Sequence, residues 1–329
     1  MTVRPLFLLS PPRSGSTLVQ RVLAAHDEIA TTPEPWILLP HLYAVRERGA
    51  YAEYGHGTAA RAIKDFAASL PDGEDGYRRA VAAFVRSLYE QAAGARPYFL
   101  DKTPRYYFIV DELFDLFPDA KVVFLWRNPL AVVASIVDTW TGGAWRLDRW
   151  HRDLFDGLPA LAAAFERHAD RSYAVRFEDL IRQPERTWAD LHSYLGLSFE
   201  PSVLARFASV SIGGRMGDPT GRIVYSSLSA EPLVKWKSAL ASPVRKRWAR
   251  QYLRHLGEHH LRVMGYDIRD LEHEIDALRT HPTRVLTDQV SSWISRLNRL
   301  RREAGVVLTY RPGGPRYPGA QSKGQSSRP

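Results

Sequence analysis

The apolar stretch Leu6-Phe7-Leu8-Leu9 runs straight into Ser10-Pro11-Pro12-Arg13-Ser14-Gly15-Ser16-Thr17, which opens a helical pattern over Thr17–Ala25. A strand, a turn of small hydroxyl residues and a helix, in that order, leave the first backbone N–H groups of the helix unpaired. The positive end of the helix dipole then points into the turn. A Gly at that turn lets a bulky anion approach the backbone, so the segment predicts a phosphate-cradling loop at a strand end. A Ser/Pro-rich turn that only caps a helix uses the same residue types and is the alternative at this stage. Magnesium-dependent nucleotide hydrolases place Lys directly after the last Gly of such a loop. Here Arg13 stands two residues before Gly15 and Ser16 follows it, which argues against that class.

Further strand-like runs occur at Tyr98–Leu100, Lys121–Trp126 and Tyr173–Phe177, besides Leu6–Ser10. Helical patterns lie between and beyond them at Tyr77–Ala93, Pro129–Thr139, Pro159–Ala169, Glu185–Leu195 and Pro243–Met264. Strands alternating with helices predict an α/β fold, a P-loop-like three-layer sandwich whose central parallel sheet is flanked by helices. Ligands of such sheets collect at the carboxyl ends of the strands. Arg13, Lys102 and Arg127 each follow a predicted strand, so three cations are positioned to converge on one polyanion.

The formal net charge of +9 invites a nucleic-acid reading, and its distribution removes it. Residues 281–329 hold nine Lys or Arg against Asp288 and Glu303, a net of +7 that leaves only +2 for the preceding 280 residues. The basic excess belongs to the tail, and no nucleic-acid partner is expected. The chain has no Cys, which rules out thiolate chemistry and disulfides. With no long apolar segment either, the sequence reads as cytoplasmic and soluble.

Arg127 ends the third strand and Ser135 follows eight residues later, about two turns into the helix opened by Pro129, so both can grip a second phosphate. At this point the sequence resembles the sulfotransferases that use 3′-phosphoadenosine-5′-phosphosulfate. Pro12-Arg13-Ser14-Gly15-Ser16-Thr17-Leu18 is similar to the family's 5′-phosphosulfate loop, and Val123-Phe124-Leu125-Trp126-Arg127-Asn128-Pro129 with Ser135 is similar to its 3′-phosphate motif. The resemblance extends toward the branch of the tyrosylprotein sulfotransferases and many bacterial relatives. Glu34 after Ala25-His26 resembles that branch's catalytic Glu, and Asp101-Lys102-Thr103-Pro104 its catalytic Lys motif. Phe177-Glu178-Asp179-Leu180 matches a strand end where many members have Tyr, and Lys235-Trp236 resembles a late cofactor-binding pair.

The resemblance implies a division of labour. Arg13 and Lys102 would stabilise the departing phosphate oxygen, and Glu34 would take the proton of the attacking hydroxyl. Partial burial beside Pro33, Pro35 and Trp36 would strengthen Glu34 as a base, and a nearby Arg13 would weaken it. Pro12, Arg13, Ser14, Gly15, Ser16 and Thr17 would hold the 5′-phosphate, Arg127 and Ser135 the 3′-phosphate, and Arg222 and Lys235 would close over the nucleotide. Adenosine 3′,5′-bisphosphate would be the product, and no metal is expected. His26 reads as a polar helix-end residue rather than a rival base. Trp36, Tyr43, Tyr51, Tyr54, Tyr106, Tyr107, Trp140, Trp145 and Trp150 exceed what a helical cover needs, and those lining a cleft would suit a small-molecule, glycan or lipid-linked hydroxyl. Two rival classes remain: a P-loop small-molecule kinase and a nucleotide-binding protein without catalysis.

Three units are expected: a sulfotransferase domain over 1–270, a helical extension over 271–310 and a disordered tail over 311–329. Ser211–Ser229, rich in Gly, Ser, Pro and Thr, reads as a long loop of the kind that forms lids. In the extension, Leu286, Val290, Trp293, Leu297 and Leu300 recur at four and three. That stripe is expected to pack back on the domain or against a partner chain, with attachment to a membrane surface as the sharper reading.

Overall fold

A computed structural model describes residues 2–213, 227–280 and 284–308, with side chains to residue 301. Five parallel strands form one sheet: β1 (Arg4–Leu9), β2 (Ile29–Thr31), β3 (Tyr98–Asp101), β4 (Lys121–Trp126) and β5 (Ser172–Arg176), in the order β2-β3-β1-β4-β5. The expected α/β sandwich is therefore present, with one strand more than the sequence patterns gave. The expected fourth strand ends a residue early, because Phe177 begins a helix.

Alternation along the central strands divides the core into two layers. Phe7, Leu9, Val122, Phe124 and Trp126 face one cluster, and Leu6, Leu8, Val123 and Leu125 face the other. The helices, in chain order, are α1 (Ser16–Ala24), α2 (Leu38–Tyr43), α3 (His56–Ala68), α4 (Gly73–Ala93), α5 (Val110–Leu116), α6 (Pro129–Thr141), α7 (Leu158–Arg167), α8 (Phe177–Arg182) and α9 (Pro184–Leu195). Leu18, Val22 and Leu23 of α1 join Trp188 and Leu191 of α9 in one layer. Val85 and Tyr89 of α4, Val133 of α6 and Leu161 of α7 lie in the other, with Leu253 and Leu256 of the long helix Pro243–Val263.

This order fixes where a ligand can sit. From β1 the chain crosses outward to β2 and returns to β3, whereas from β4 it crosses the opposite way to β5. The segments after β1 and β4 therefore diverge and leave a crevice above the two strands. Arg13 lies in one of these segments and Arg127 in the other.

The C-terminal helix Val285–Leu308 rests on the body through polar contacts. Arg245 of Pro243–Val263 meets Asp288 at 2.9 and 2.7 Å, and both side chains are buried. Leu147 N donates to Ser295 Oγ at 3.1 Å. The helix does pack back as expected, but with the opposite face: Leu286, Val290, Trp293, Leu297 and Leu300 are all exposed. The tail 311–329, Arg222 and most of the Ser211–Ser229 loop lie outside the described residues.

Candidate functional site

The loop after β1 is shaped by two left-handed residues. Gly15 has φ 89° and ends in contact with the Phe177 ring, where a Cβ would sit 2.4 Å from two ring carbons. Gly is required there on both counts. Arg13 has φ 69° without being Gly, a conformation costing on the order of 1–2 kcal/mol that the loop keeps. No side chain caps α1, so its first amides face the loop. The Ser14 Oγ is fully buried and has no hydrogen-bond partner. An unused hydroxyl beside uncapped amides fits a phosphate oxyanion.

Across the crevice, Asn128 caps α6 by accepting from Leu130 N at 2.9 Å, and Pro129 supplies the first helical residue. Arg127 is thereby fixed at the helix start. Its Nη1 donates to the Arg13 carbonyl at 2.8 Å and its Nη2 to the Pro232 carbonyl at 3.1 Å. The guanidinium lies 4.7 Å from the centre of the Phe177 ring, so one aromatic supports both Gly15 and Arg127. Glu178 steadies the turn from below, accepting from Asn128 N at 2.9 Å and from the Tyr266 hydroxyl at 2.7 Å.

Arg13 reaches over to α6. Its Nε donates to Ser135 Oγ at 3.1 Å and its Nη2 to Thr139 Oγ1 at 3.0 Å, with the guanidinium 5.3 Å from the Trp140 ring centre. Arg13, Arg127, Ser135, Lys235 and Trp236 border a cavity of about 380 Å³. That volume is within the range of small-molecule sites. Lys235 pairs with Asp138 at 2.9 Å on the rim. A second cavity, of about 400 Å³, is bordered by Trp140, Arg146, Trp150 and Asn298 among others. Trp140 and Trp150 stack with centroids 5.0 Å apart.

The third part of the site follows β3. Lys102 Nζ donates to Glu34 Oε1 at 2.7 Å, the lysine almost fully buried and the carboxylate 12% exposed. Trp36, also left-handed at φ 57°, donates its indole N–H to Glu34 Oε2 at 3.1 Å. Trp36 N donates to Thr103 Oγ1 at 3.3 Å, and Thr103 Oγ1 donates to Asp101 Oδ1 at 2.8 Å. Asp101 Oδ2 accepts from the Tyr89 and Tyr106 hydroxyls at 2.6 and 2.8 Å. Burial pushes the Asp101 carboxyl up to about 6, against the opposing pull of these hydroxyls and Lys102. The same burial, with Asp101 beside them, raises both tyrosines above their usual range.

Residues 5–201 match the profile of the Sulfotransferase family. The chain belongs to the sulfotransferase family. Nodulation protein NoeE of Sinorhizobium fredii is 32% identical over 229 residues, covering 62% of this chain and 52% of NoeE. A protein-tyrosine sulfotransferase of Drosophila melanogaster is 23% identical over 257 residues, covering 73% of this chain and 48% of that protein. The chain thus spans about half the length of these relatives. The sulfotransferase domain from the curacin biosynthetic pathway is similar in fold, with a TM-score of 0.52 at 20% identity over 80% of this chain and 96% of that domain.

The chain brings Arg13, Arg127, Ser135 and Lys235 around one cavity and pairs Glu34 with Lys102. Arg13, expected with Lys102 at a departing oxygen, rests on Ser135 and Thr139, whose hydroxyls and the Trp140 face offer its guanidinium partners. The two groups occupy the carboxyl ends of adjacent strands: Phe7 of β1 is level with Asp101 of β3, so Lys102 stands beside the start of the Ser10–Thr17 loop. His26 accepts from Glu28 N at 3.2 Å and packs near His192. Among the aromatics, Tyr106, Tyr107 and Trp145 are core, Tyr51 and Tyr54 are exposed, and Trp140 and Trp150 border the second cavity. Thr139, Asp138, Glu178 and the Asp101 network are contributors that sequence reasoning missed. Asp101 stood inside the quoted Lys motif without a role of its own, and its pairing with Tyr89 on α4 carried no local signal.

Proposed function

We propose that this chain transfers a sulfuryl group from 3′-phosphoadenosine-5′-phosphosulfate to a hydroxyl of a small molecule, glycan or glycolipid, with no metal ion. The carrying observation is the meeting of Arg13, Arg127 and Ser135 at one cavity beside the uncapped start of α1, at the crevice between β1 and β4. Family membership makes sulfuryl transfer the class of reaction.

In this reading the Ser14–Thr17 backbone and hydroxyls hold the 5′-phosphate, and Ser14 Oγ gains the partner it otherwise lacks. Arg127 and Ser135 hold the 3′-phosphate, with Lys235 at the rim. Arg13, its fork exchanging Ser135 and Thr139 for oxyanions, stabilises the negative charge that grows on the departing phosphate oxygen. Bound donor supplies an activated sulfuryl group. Glu34 has one donor on each carboxylate oxygen and remains partly open, so it can accept the proton of an incoming hydroxyl. Lys102, freed from that carboxylate's full charge as it is protonated, can donate toward the departing oxygen. The stacked Trp140 and Trp150, flanked by Arg146, Asp148 and Asn298, support a sugar-bearing acceptor, since aromatic faces stack on sugars while polar neighbours orient hydroxyls.

Titration calorimetry in chelator tests the donor site. Adenosine 3′,5′-bisphosphate should bind without metal, and Arg127→Ala should weaken it roughly 10- to 100-fold while leaving adenosine 5′-phosphosulfate, which lacks the 3′-phosphate, little changed. Magnesium-dependent ATP binding instead would favour a kinase, and binding of neither a scaffold. Glu34→Gln should lower turnover by ~10²–10⁴ with bisphosphate affinity intact, and near-full turnover would remove Glu34 as the base.

A further inference from the structure

The C-terminal helix Val285–Leu308 is fastened by its polar side. Asp288 is buried against Arg245, Ser295 Oγ accepts from Leu147 N, and Arg299 Nη1 lies 3.1 Å from His151 Nε2. The opposite side carries Leu286, Val290, Trp293, Leu297 and Leu300, with Trp293 69% exposed and Leu286 77%. An amphipathic helix on a globular body normally turns its apolar stripe inward and its polar face to water. Here the fold spends its polar groups on attachment and leaves a continuous apolar row outside. Five large side chains aligned on one helix form a patch rather than scattered surface residues.

The charge beside the row distinguishes its possible occupants. Arg296 and Arg301 are exposed along the helix, Arg284 at its start also borders the Arg13–Arg127 cavity, and Asp288, the one acid between residues 284 and 301, is already spent on Arg245. Beyond the helix the sequence adds Arg311, Arg316, Lys323 and Arg328 with no Asp or Glu. A second copy would bring the same uncompensated arginines against this set, and like charges at a helix seam oppose pairing. A surface with negative headgroups above an apolar interior satisfies both features at once, and a Trp flanked by Arg is suited to that boundary.

We propose that the outer face of the helix Val285–Leu308 docks the protein on a bilayer containing anionic lipid, through Leu286, Val290, Trp293, Leu297 and Leu300 and the flanking arginines. The docked geometry has a consequence for the acceptor. Asn298 of the same helix borders the Trp140–Trp150 cavity, so the helix that meets the bilayer also forms part of the wall of the cavity that the sulfuryl-transfer reading gives to the acceptor. Only that consequence rests on the sulfuryl-transfer reading; the docking does not.

Co-sedimentation of the full chain with phosphatidylglycerol-containing vesicles, against pure phosphatidylcholine vesicles, tests the proposal without any sulfate donor. Binding should be at least several-fold stronger on the anionic vesicles and should weaken as salt is raised. The double variant Trp293→Ser/Leu297→Ser should lose at least about tenfold in partitioning, with wild-type circular dichroism and bisphosphate affinity. Absence of vesicle binding, equal binding to both vesicle types or unchanged binding by the double variant would each overturn the proposal. So would a dimer, seen by light scattering, that the double variant abolishes, because the stripe would then be covered by a second copy. Failure here leaves the calorimetric test of the donor site untouched.

Discussion

Replacing Asp101 by Asn removes an ionisation from the middle of the site while nearly preserving its shape. Asp101 is fully buried and accepts three hydroxyl hydrogen bonds, from Tyr89, Thr103 and Tyr106. Burial is the dominant influence and raises the group from 3.8 to about 6. A carboxyl that binds its proton more tightly in the folded chain contributes stability that is full at low pH and is lost as pH rises through the folded value. The rise from 3.8 to about 6 corresponds to roughly 3 kcal/mol. Asp119, which a hydrogen bond from Arg86 holds below its usual range, acts in the opposite sense, but it is present in both proteins and cancels in the comparison. Urea unfolding of both proteins at steps from about pH 4 to about pH 7 should show the stability of the native chain relative to the variant falling by roughly 2–2.5 kcal/mol, most of it before about pH 6.5. A constant offset between the two proteins, or a relative gain for the native chain as pH rises, would refute the reasoning. Turnover gives a second readout, since Thr103 links Asp101 to Trp36 and Trp36 holds Glu34.

Two substitutions in the Ser10–Thr17 loop should act in contrasting ways. Gly15→Ala places a methyl group against Phe177 in a left-handed backbone, and chemical denaturation should report a loss of about 2–5 kcal/mol together with weaker bisphosphate binding. Arg13→Gly relieves a left-handed residue and gives up two hydroxyl contacts, so stability should change by less than about 1 kcal/mol while turnover falls roughly 100-fold or more. Parallel losses of stability and turnover in Arg13→Gly would make Arg13 a structural residue.

The parts of the fold legible in the sequence are those in which one segment carries its own signal. Leu6–Leu9 and Lys121–Trp126 are apolar runs because both faces of a central parallel strand are buried, and each is followed by a loop whose residues announce a helix start. Ile29–Thr31 is too short for alternation to register, and it is a strand because β3 pairs with it. Phe177 reads as strand because it is large and follows Val175, yet it begins α8 and turns its ring under Gly15 and Arg127. The same limit governs the site. Arg13, Arg127 and Ser135 were legible through motif spacing, whereas the reach of Arg13 to Thr139 spans 126 residues and depends on how β1 and β4 adjoin. At the C-terminal helix, periodicity revealed an apolar face but carried no information about which side meets the body. Asp288 and Ser295 decide that, and their partners Arg245 and Leu147 lie far away in the chain.

Arg13 and Trp36 are the two non-glycine residues with positive φ among the described residues, and both belong to the site. Glycine would adopt either conformation without the roughly 1–2 kcal/mol that each side chain costs, so folding stability alone does not account for an arginine and a tryptophan at these positions. What they add lies in the side chains. Arg13 carries a forked cation from the β1 loop to the hydroxyls of α6, and Trp36 carries an indole N–H to the second oxygen of Glu34. One strained residue thus belongs to the loop after β1 and the other to the Glu34–Lys102 pair after β3, and the strand register sets the ends of β1 and β3 side by side. Strain retained at two positions, each of which fixes a charged group of the proposed site, is what a preorganised electrostatic site requires. The cost of orienting its charges is met during folding and not during the reaction.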